Sequence, residues 1–247
     1  LNGRPTRRVD ERDIMFARAR LRPGSPEYAS YYAMRPENQR GDDRTRRLPG
    51  LLSLDARKAE PSAFASADAS FEVSEALSDS VDGPVAPHRE EQSPDEAAAR
   101  IKDLARSHGA LDAGITPLAD YHVYSHVGRG PGPYGEEIGV DHGWAIAFTV
   151  EMDHAVMRTA PEAPVVAESA RRYVDAAVIG VEVAAAIREM GYPARAHIDG
   201  NYRVIAPLLA WDAGLGEARE EPVDPRADGR TPLVQQQGLR GQFGQGH

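Results

Sequence analysis

The sequence predicts an α/β fold, and three stretches carry that prediction. Ser93–Ser107 reads as a helix leading into an apolar strand over 111–116, the usual opening of an α/β unit. Gly143–Met152 is nearly all apolar, as a strand covered on both faces should be. Thr159–Glu217 then reads as a helix start, a long helix, a Gly191-Tyr192-Pro193 turn, a short strand and a second helix ending at Gly214-Leu215-Gly216.

Leu1–Gly50 is arginine-rich and broken by Pro5, Pro23, Pro26, Pro36 and Pro49. It predicts an irregular N-terminal arm with one short helix over 10–20. Residues 51–92 are rich in Ser, Ala, Asp, Glu and Pro. Phe64, Phe71 and Leu77 are too sparse to define a core, so this stretch reads as a poorly ordered linker. Ser93-Pro94-Asp95-Glu96 opens the next helix with a capping serine, a proline at the first position and acids in the first turn. Its apolar face is Ala97, Ile101, Leu104 and Ala105, and Gly109 stops it.

Tyr121–Asp141 is loop-like, with glycines at 128, 130, 132 and 135. The spacing matches neither the Walker nor the dinucleotide fingerprint, and no lysine follows. Thr159-Ala160-Pro161-Glu162 carries the threonine–glutamate spacing of a capping box. On the helix behind it, Glu168, Asp175, Glu182 and Glu189 recur every seven residues as an acidic stripe. Tyr173 falls on the opposite face with Val166, Ala170, Ala177, Gly180, Val181 and Ala184. That face is small, so a neighbour should pack closely against it, and from the residues alone Tyr173 reads as a core tyrosine packed against a sheet. Ala194–Ile198 predicts a strand, and Arg203–Ala213 a helix with Val204, Ile205, Leu208, Leu209 and Trp211 at helical spacing. Residues 218–247 lack periodic apolar pattern and read as a divergent, disordered tail.

Composition narrows the function. A formal net charge of −9 over 247 residues argues against a nucleic-acid partner held by phosphate contacts. There is no apolar run long enough for a membrane span and no secretory or twin-arginine segment, so the expected location is cytoplasmic. The cysteine count is zero, which excludes disulfides, thiolate zinc sites and iron–sulfur clusters within this chain. His122 and His126, with Asp141-His142 and Asp153-His154 nearby, could build a zinc or iron site. Because His122 and His126 fall in a glycine-rich region where helical spacing means little, they read instead as scattered surface histidines, and no metal site is assigned.

The run Met157-Arg158-Thr159-Ala160-Pro161, then Tyr173, then Arg188-Glu189-Met190-Gly191-Tyr192, then Gly214-Leu215-Gly216 resembles the corrinoid domain of organohalide reductive dehalogenases. Epoxyqueuosine reductase is a more distant likeness. An N-terminal block, Val9–Arg18 with Pro23-Gly24 and Tyr31-Tyr32, is similar to the same family. The likeness covers most of 101–217.

The resemblance implies an incomplete nitroreductase-like corrinoid-binding domain over 93–217, with the chain truncated after Glu217. It implies cobalamin as cofactor, a small organohalide as substrate and Tyr173 as the proton donor to carbon. Ser169, one turn before Tyr173, joins Asp199 and Tyr124 in the implied substrate pocket. Gly200 and Asn201 would meet the cofactor, although His197-Ile198-Asp199-Gly200-Asn201 reads equally as a polar turn with a capping Asp199 or Asn201. The family's iron–sulfur clusters cannot form without cysteine, so an external electron donor is implied. The family's activating arginine falls in the region this chain replaces, and Arg172 points elsewhere on the helix. The alternatives are a non-catalytic corrinoid-binding pseudoenzyme and a small metal-binding hydrolase.

Overall fold

The computed structural model describes residues 4–216 and 232–234. Its centre is a sheet of strands β1 (Asp112–Pro117), β2 (Trp144–Glu151) and β3 (Pro232–Val234) in the order β1-β2-β3. Both pairings are antiparallel: Ala113 opposes Phe148 in the first, and Val150 opposes Leu233 in the second. β3 is the only part of the stretch expected as a disordered tail, 218–247, that falls within the described residues. The rest of that tail lies outside the described residues.

Alternation along β2 sorts its side chains between two layers. Ile146, Phe148 and Val150 pack with Ala105, Ile179, Val183 and Ile187. These partners come from α5 (Pro94–Ser107) and α7 (Pro164–Glu189). Ala145 and Ala147 face the other way, toward Val123, Tyr124, Ile138, Val204 and Leu209. Leu209 belongs to α8 (Ala206–Asp212). The apolar run over 143–152 is thus covered on both faces. The start of α5 forms as its sequence predicts: Ser93 Oγ accepts from Glu96 N, and the Glu96 carboxylate accepts from Ser93 N at 2.9 Å.

Several expectations are corrected. The N-terminal arm is mostly helical, with α1 (Met15–Arg20), α2 (Pro26–Met34) and α3 (Pro36–Arg46) after a 3-10 turn at Glu11–Asp13. The Ser25 hydroxyl accepts from Tyr28 N at 3.2 Å to start α2. Tyr31 and Tyr32 then pack edge-on at 5.1 Å, and the Arg46 guanidinium lies 5.5 Å from the Tyr32 ring. The segment expected as a low-order linker carries α4 (Pro61–Ala76), 16 residues long. Ala63 and Ala67 are buried on α4, which lies along α7. The close neighbour predicted for the small face of α7 includes this helix.

The capping box expected at Thr159 does not form. Thr159 Oγ1 donates to Val156 O at 2.7 Å, and α7 begins five residues later without a side-chain cap. The acidic stripe breaks at its first member: Glu168 is buried, accepting from Asp153 N and Arg172 Nε, each at 2.7 Å. α6 (His154–Met157) leads into that corner. The strand expected over 194–198 joins no ladder. Ala196 N donates to Val81 O at 2.9 Å, and Ile198 makes only an isolated bridge to Asn201. The helix expected over 203–213 is the shorter α8. Among the described residues no helix is long and apolar enough to cross a membrane.

Candidate active site

The glycine-rich loop is a backbone sandwich. A side chain at Gly128 would sit 2.5 Å from the Glu11 carbonyl carbon, and one at Gly130 would sit 2.3 Å from Gly200 O. Gly130 also has φ +89°, a conformation that costs other residues about 1–2 kcal/mol. Only glycine at both positions lets this loop lie between the N-terminal 3-10 turn and the 199–201 turn. The residue between them, Arg129, is thereby carried into the interior.

Arg129 meets a buried carboxylate there. Its Nε donates to Glu11 Oε1 at 3.1 Å, while Glu11 Oε2 accepts from Gly128 N at 2.9 Å and Arg129 N at 3.3 Å. Burial pushes the Glu11 carboxyl above its ordinary range, and these donors oppose the rise. The guanidinium carbon lies 5.8 Å from the centre of the Phe16 ring and 5.7 Å from that of Tyr202. Its Nη1 is 3.9 Å from Asp199 Oδ1. Its Nη2 is buried and has no hydrogen-bond partner among the described residues.

Tyr173 is on α7, half-buried, with the Phe71 ring of α4 at 6.4 Å. Burial pushes its phenol up to about 12; Asp199 adds to the rise and Arg129 opposes it. The phenol therefore holds its proton throughout the neutral range. Tyr124 is buried nearby, its phenol raised first by burial and then by Glu11, again against Arg129. Arg129 is the cation common to both tyrosines, although sequence reasoning did not single it out.

The other expected site residues divide. Asp199 reaches the Arg129–Tyr173 corner. Gly200 has φ +75°, and a side chain there would meet nothing within 4 Å. Asn201 lines the adjoining cavity, but its amide donates to Ser78 Oγ at 2.9 Å and its oxygen accepts from Arg195 Nη2. Ser169 is buried and donates to Val165 O at 2.9 Å within its own helix, so no bond to the pocket is seen. Arg172 is held by Glu168 and Asp175, each at 2.7 Å.

The histidines take other roles. His122 accepts from Ala119 N at Nδ1 (3.0 Å) and meets Asp212 Oδ2 through Nε2 (2.8 Å). Asp212 also accepts from Arg4 Nε at 2.8 Å and from Tyr121 OH. The Arg4, Tyr121 and His122 hydrogen bonds outweigh burial and hold its carboxyl down to about 2. His126 Nδ1 lies 2.9 Å from Ser125 Oγ. Among the described residues no group of three His, Cys, Asp or Glu side chains is placed to hold a metal ion.

A cavity of about 180 Å³ adjoins Arg129, bounded by Val127, Gly132, Ile138, Asn201, Tyr202 and Arg203 among others. It is smaller than the roughly 300–1,000 Å³ typical of sites enclosing a drug-sized ligand. At that size it does not enclose a whole corrin. Tyr173, Tyr124, Asp199 and Gly200 are not among its lining residues.

No family model matches the chain, and no curated protein matches it. Solved structures do. The catabolic reductive dehalogenase NpRdhA aligns at 25% identity and TM-score 0.55, covering 62% of this chain and 22% of that one. Its complex with 3-bromo-4-hydroxybenzoic acid aligns equally well over 61% and 22%. A reductive dehalogenase described for B12-dependent dehalogenation aligns at 21% identity and TM-score 0.63, covering 86% of this chain and 27% of that one. The chain thus spans about a quarter of the length of the structures it matches. It has an α/β fold similar to part of the reductive dehalogenases.

Proposed function

We propose that this chain is the substrate-side part of a reductive dehalogenase-related oxidoreductase, with the nitroreductase-like build of that family, and that Tyr173 is its proton donor. The observation that carries this reading is the placement of Arg129 and Asp199 in the electrostatic field of the Tyr173 phenol. On this reading Arg129 takes the part of the activating arginine that the family likeness located elsewhere. A small organohalide would sit at the Tyr173–Asp199 corner, on the side of Arg129 away from the cavity lining; the neighbour NpRdhA has a structure in complex with 3-bromo-4-hydroxybenzoic acid.

The reaction consumes two electrons and one proton: the carbon–halogen bond breaks, a carbon–hydrogen bond forms and halide leaves. Bound cobalamin would supply the reducing chemistry at the carbon–halogen bond. The chain's own part is the proton. The neutral Tyr173 O–H gives it to carbon, and Arg129 stabilises the phenolate that remains. Gly200 and Arg129 would meet the edge of the cofactor. With zero cysteines in the sequence, the electrons come from an external donor.

The same lack of cysteine favours a second reading, a corrinoid-binding pseudoenzyme. Titrating the purified chain with cobalamin, then assaying dehalogenation with an added reductant in parent and Tyr173→Phe, separates the two. Saturable binding in both, with turnover lost by the variant, supports the enzyme. Binding without turnover in the parent supports the pseudoenzyme. A folded chain that does not bind cobalamin overturns both.

A further inference from the structure

We infer that Glu11 is a positioning residue of this site: the N-terminal 3-10 turn inserts a buried carboxylate that clamps Arg129 and aims its guanidinium at the Tyr173–Asp199 corner. The meaning given to Tyr173 rests on the proposed function; the clamp itself rests on geometry.

Glu11 is 1% exposed and the Arg129 side chain 6%. A buried ion pair is weak evidence for stability, because desolvation costs each charge several kcal/mol and apolar packing can do as well. The arrangement here is also lopsided. The carboxylate takes the two backbone N–H groups at Gly128 and Arg129 and then only Nε of the side chain. A bidentate pair would engage two guanidinium nitrogens, as Arg12 does with Asp10 through Nε and Nη2; Arg129 gives Glu11 only one. Binding Nε leaves Nη1 directed toward Asp199, while Nη2 is buried without a hydrogen-bond partner among the described residues. The rings of Phe16 of α1 and Tyr202 also lie within 6 Å of the guanidinium. Two of the contacts that fix Arg129 thus come from the N-terminal segment, which the sequence alone presents as an arm.

The positioning role has an electrostatic signature opposite to that of a local charge. Deleting a nearby anion by itself lowers the pKa of a phenol. Deleting the clamp releases Arg129, removes a cation from the phenol and raises it. The experiment replaces Tyr173 with trifluorotyrosine, whose more acidic phenol titrates in a range the fold tolerates, and follows its ionisation by fluorine NMR in the absence of corrinoid. Arg129→Met calibrates loss of the cation and should raise the midpoint. Glu11→Ala should raise it as well, by about 0.5 unit or more. An unchanged or lowered midpoint in a folded Glu11→Ala chain overturns the inference. If that variant does not fold, Glu11→Gln decides. It keeps an acceptor for the two backbone N–H groups while losing the charge at Nε, and it should show a smaller rise; no change or a fall overturns the inference. No cofactor is present, so a failed cobalamin titration would leave this result standing, and a failed clamp would leave the proton-donor reading open to its own test.

Discussion

Replacing Gly130 with alanine should damage this protein more than the same change at Gly200, and the geometry says by how much. Both residues have positive φ, +89° and +75°. The conformational cost of about 1–2 kcal/mol is therefore shared. They differ in surroundings. At Gly200 a side chain meets nothing within 4 Å, whereas at Gly130 it would lie 2.3 Å from Gly200 O. That oxygen belongs to backbone, so relief requires the loop and the 199–201 turn to separate. Overpacking of this kind adds about 1–3 kcal/mol. Gly130→Ala should thus cost about 2–5 kcal/mol against about 1–2 for Gly200→Ala. At roughly 2–4 °C per kcal/mol for a chain of this size, Tm should fall by about 4–20 °C and about 2–8 °C respectively. Paired urea unfolding at unchanged slope gives the comparison directly. A Gly130→Ala loss no larger than that of Gly200→Ala would refute the close approach of the two turns.

Acid should weaken the fold through two histidines. Burial lowers the His122 pKa against the pull of Asp212, and it lowers His197 to about 3, with Arg195, Arg203 and His142 adding to the effect. Both folded values lie below the unfolded value near 6.5. Their contribution is therefore present above that pH and is lost as pH falls through it, at up to about 1.4 kcal/mol per pH unit for each ring. Urea midpoints from pH 7 to about 5 should fall, and His122→Gln or His197→Asn should flatten the slope. Ala67 is fully buried on the helix that lies along α7, so Ala67→Leu should cost about 1–3 kcal/mol by thermal melting; a neutral result would mean that α4 is not docked. Glu168→Ala strands the Asp153 N–H and leaves Arg172 with Asp175 alone, and should cost about 1–3 kcal/mol by urea unfolding.

Elements whose signals are local were legible in the sequence. Ser93-Pro94-Asp95-Glu96 specifies a helix start within four residues, and the strand over 144–151 announces itself by a continuous apolar run. α2 carried the same signal in Ser25-Pro26-Glu27, but it sits among prolines and arginines that suggest an irregular arm. α4 was illegible for a different reason. Its buried residues are alanines, and what makes them a core is the small face of α7, about a hundred residues away. Tyr173, Asp199 and Tyr124 could be nominated because each lies in a stretch with the look of a family. Arg129 and Glu11 could not, because a pair 118 residues apart has no spacing to read. The available hint was an arginine held between two glycines in a loop lacking any phosphate fingerprint. Ser169 shows the opposite failure: helical spacing placed it beside Tyr173, but spacing does not reveal that its hydroxyl bonds its own helix.

The bond from Gly128 N to Glu11 spans 117 residues, and this has a consequence for the chain as it is made. Synthesis at about 5–20 residues per second separates the two partners by roughly 6–23 s. During that interval the Glu11 carboxylate is hydrated and the turn around it has nothing to clamp. Long-range closures of this kind form late in folding, once their entropy can be repaid by many contacts at once. Hydrogen exchange during refolding should therefore protect the amides of α5 and β2 before those of Gly128 and Arg129, making the candidate site among the last parts of the molecule to take shape.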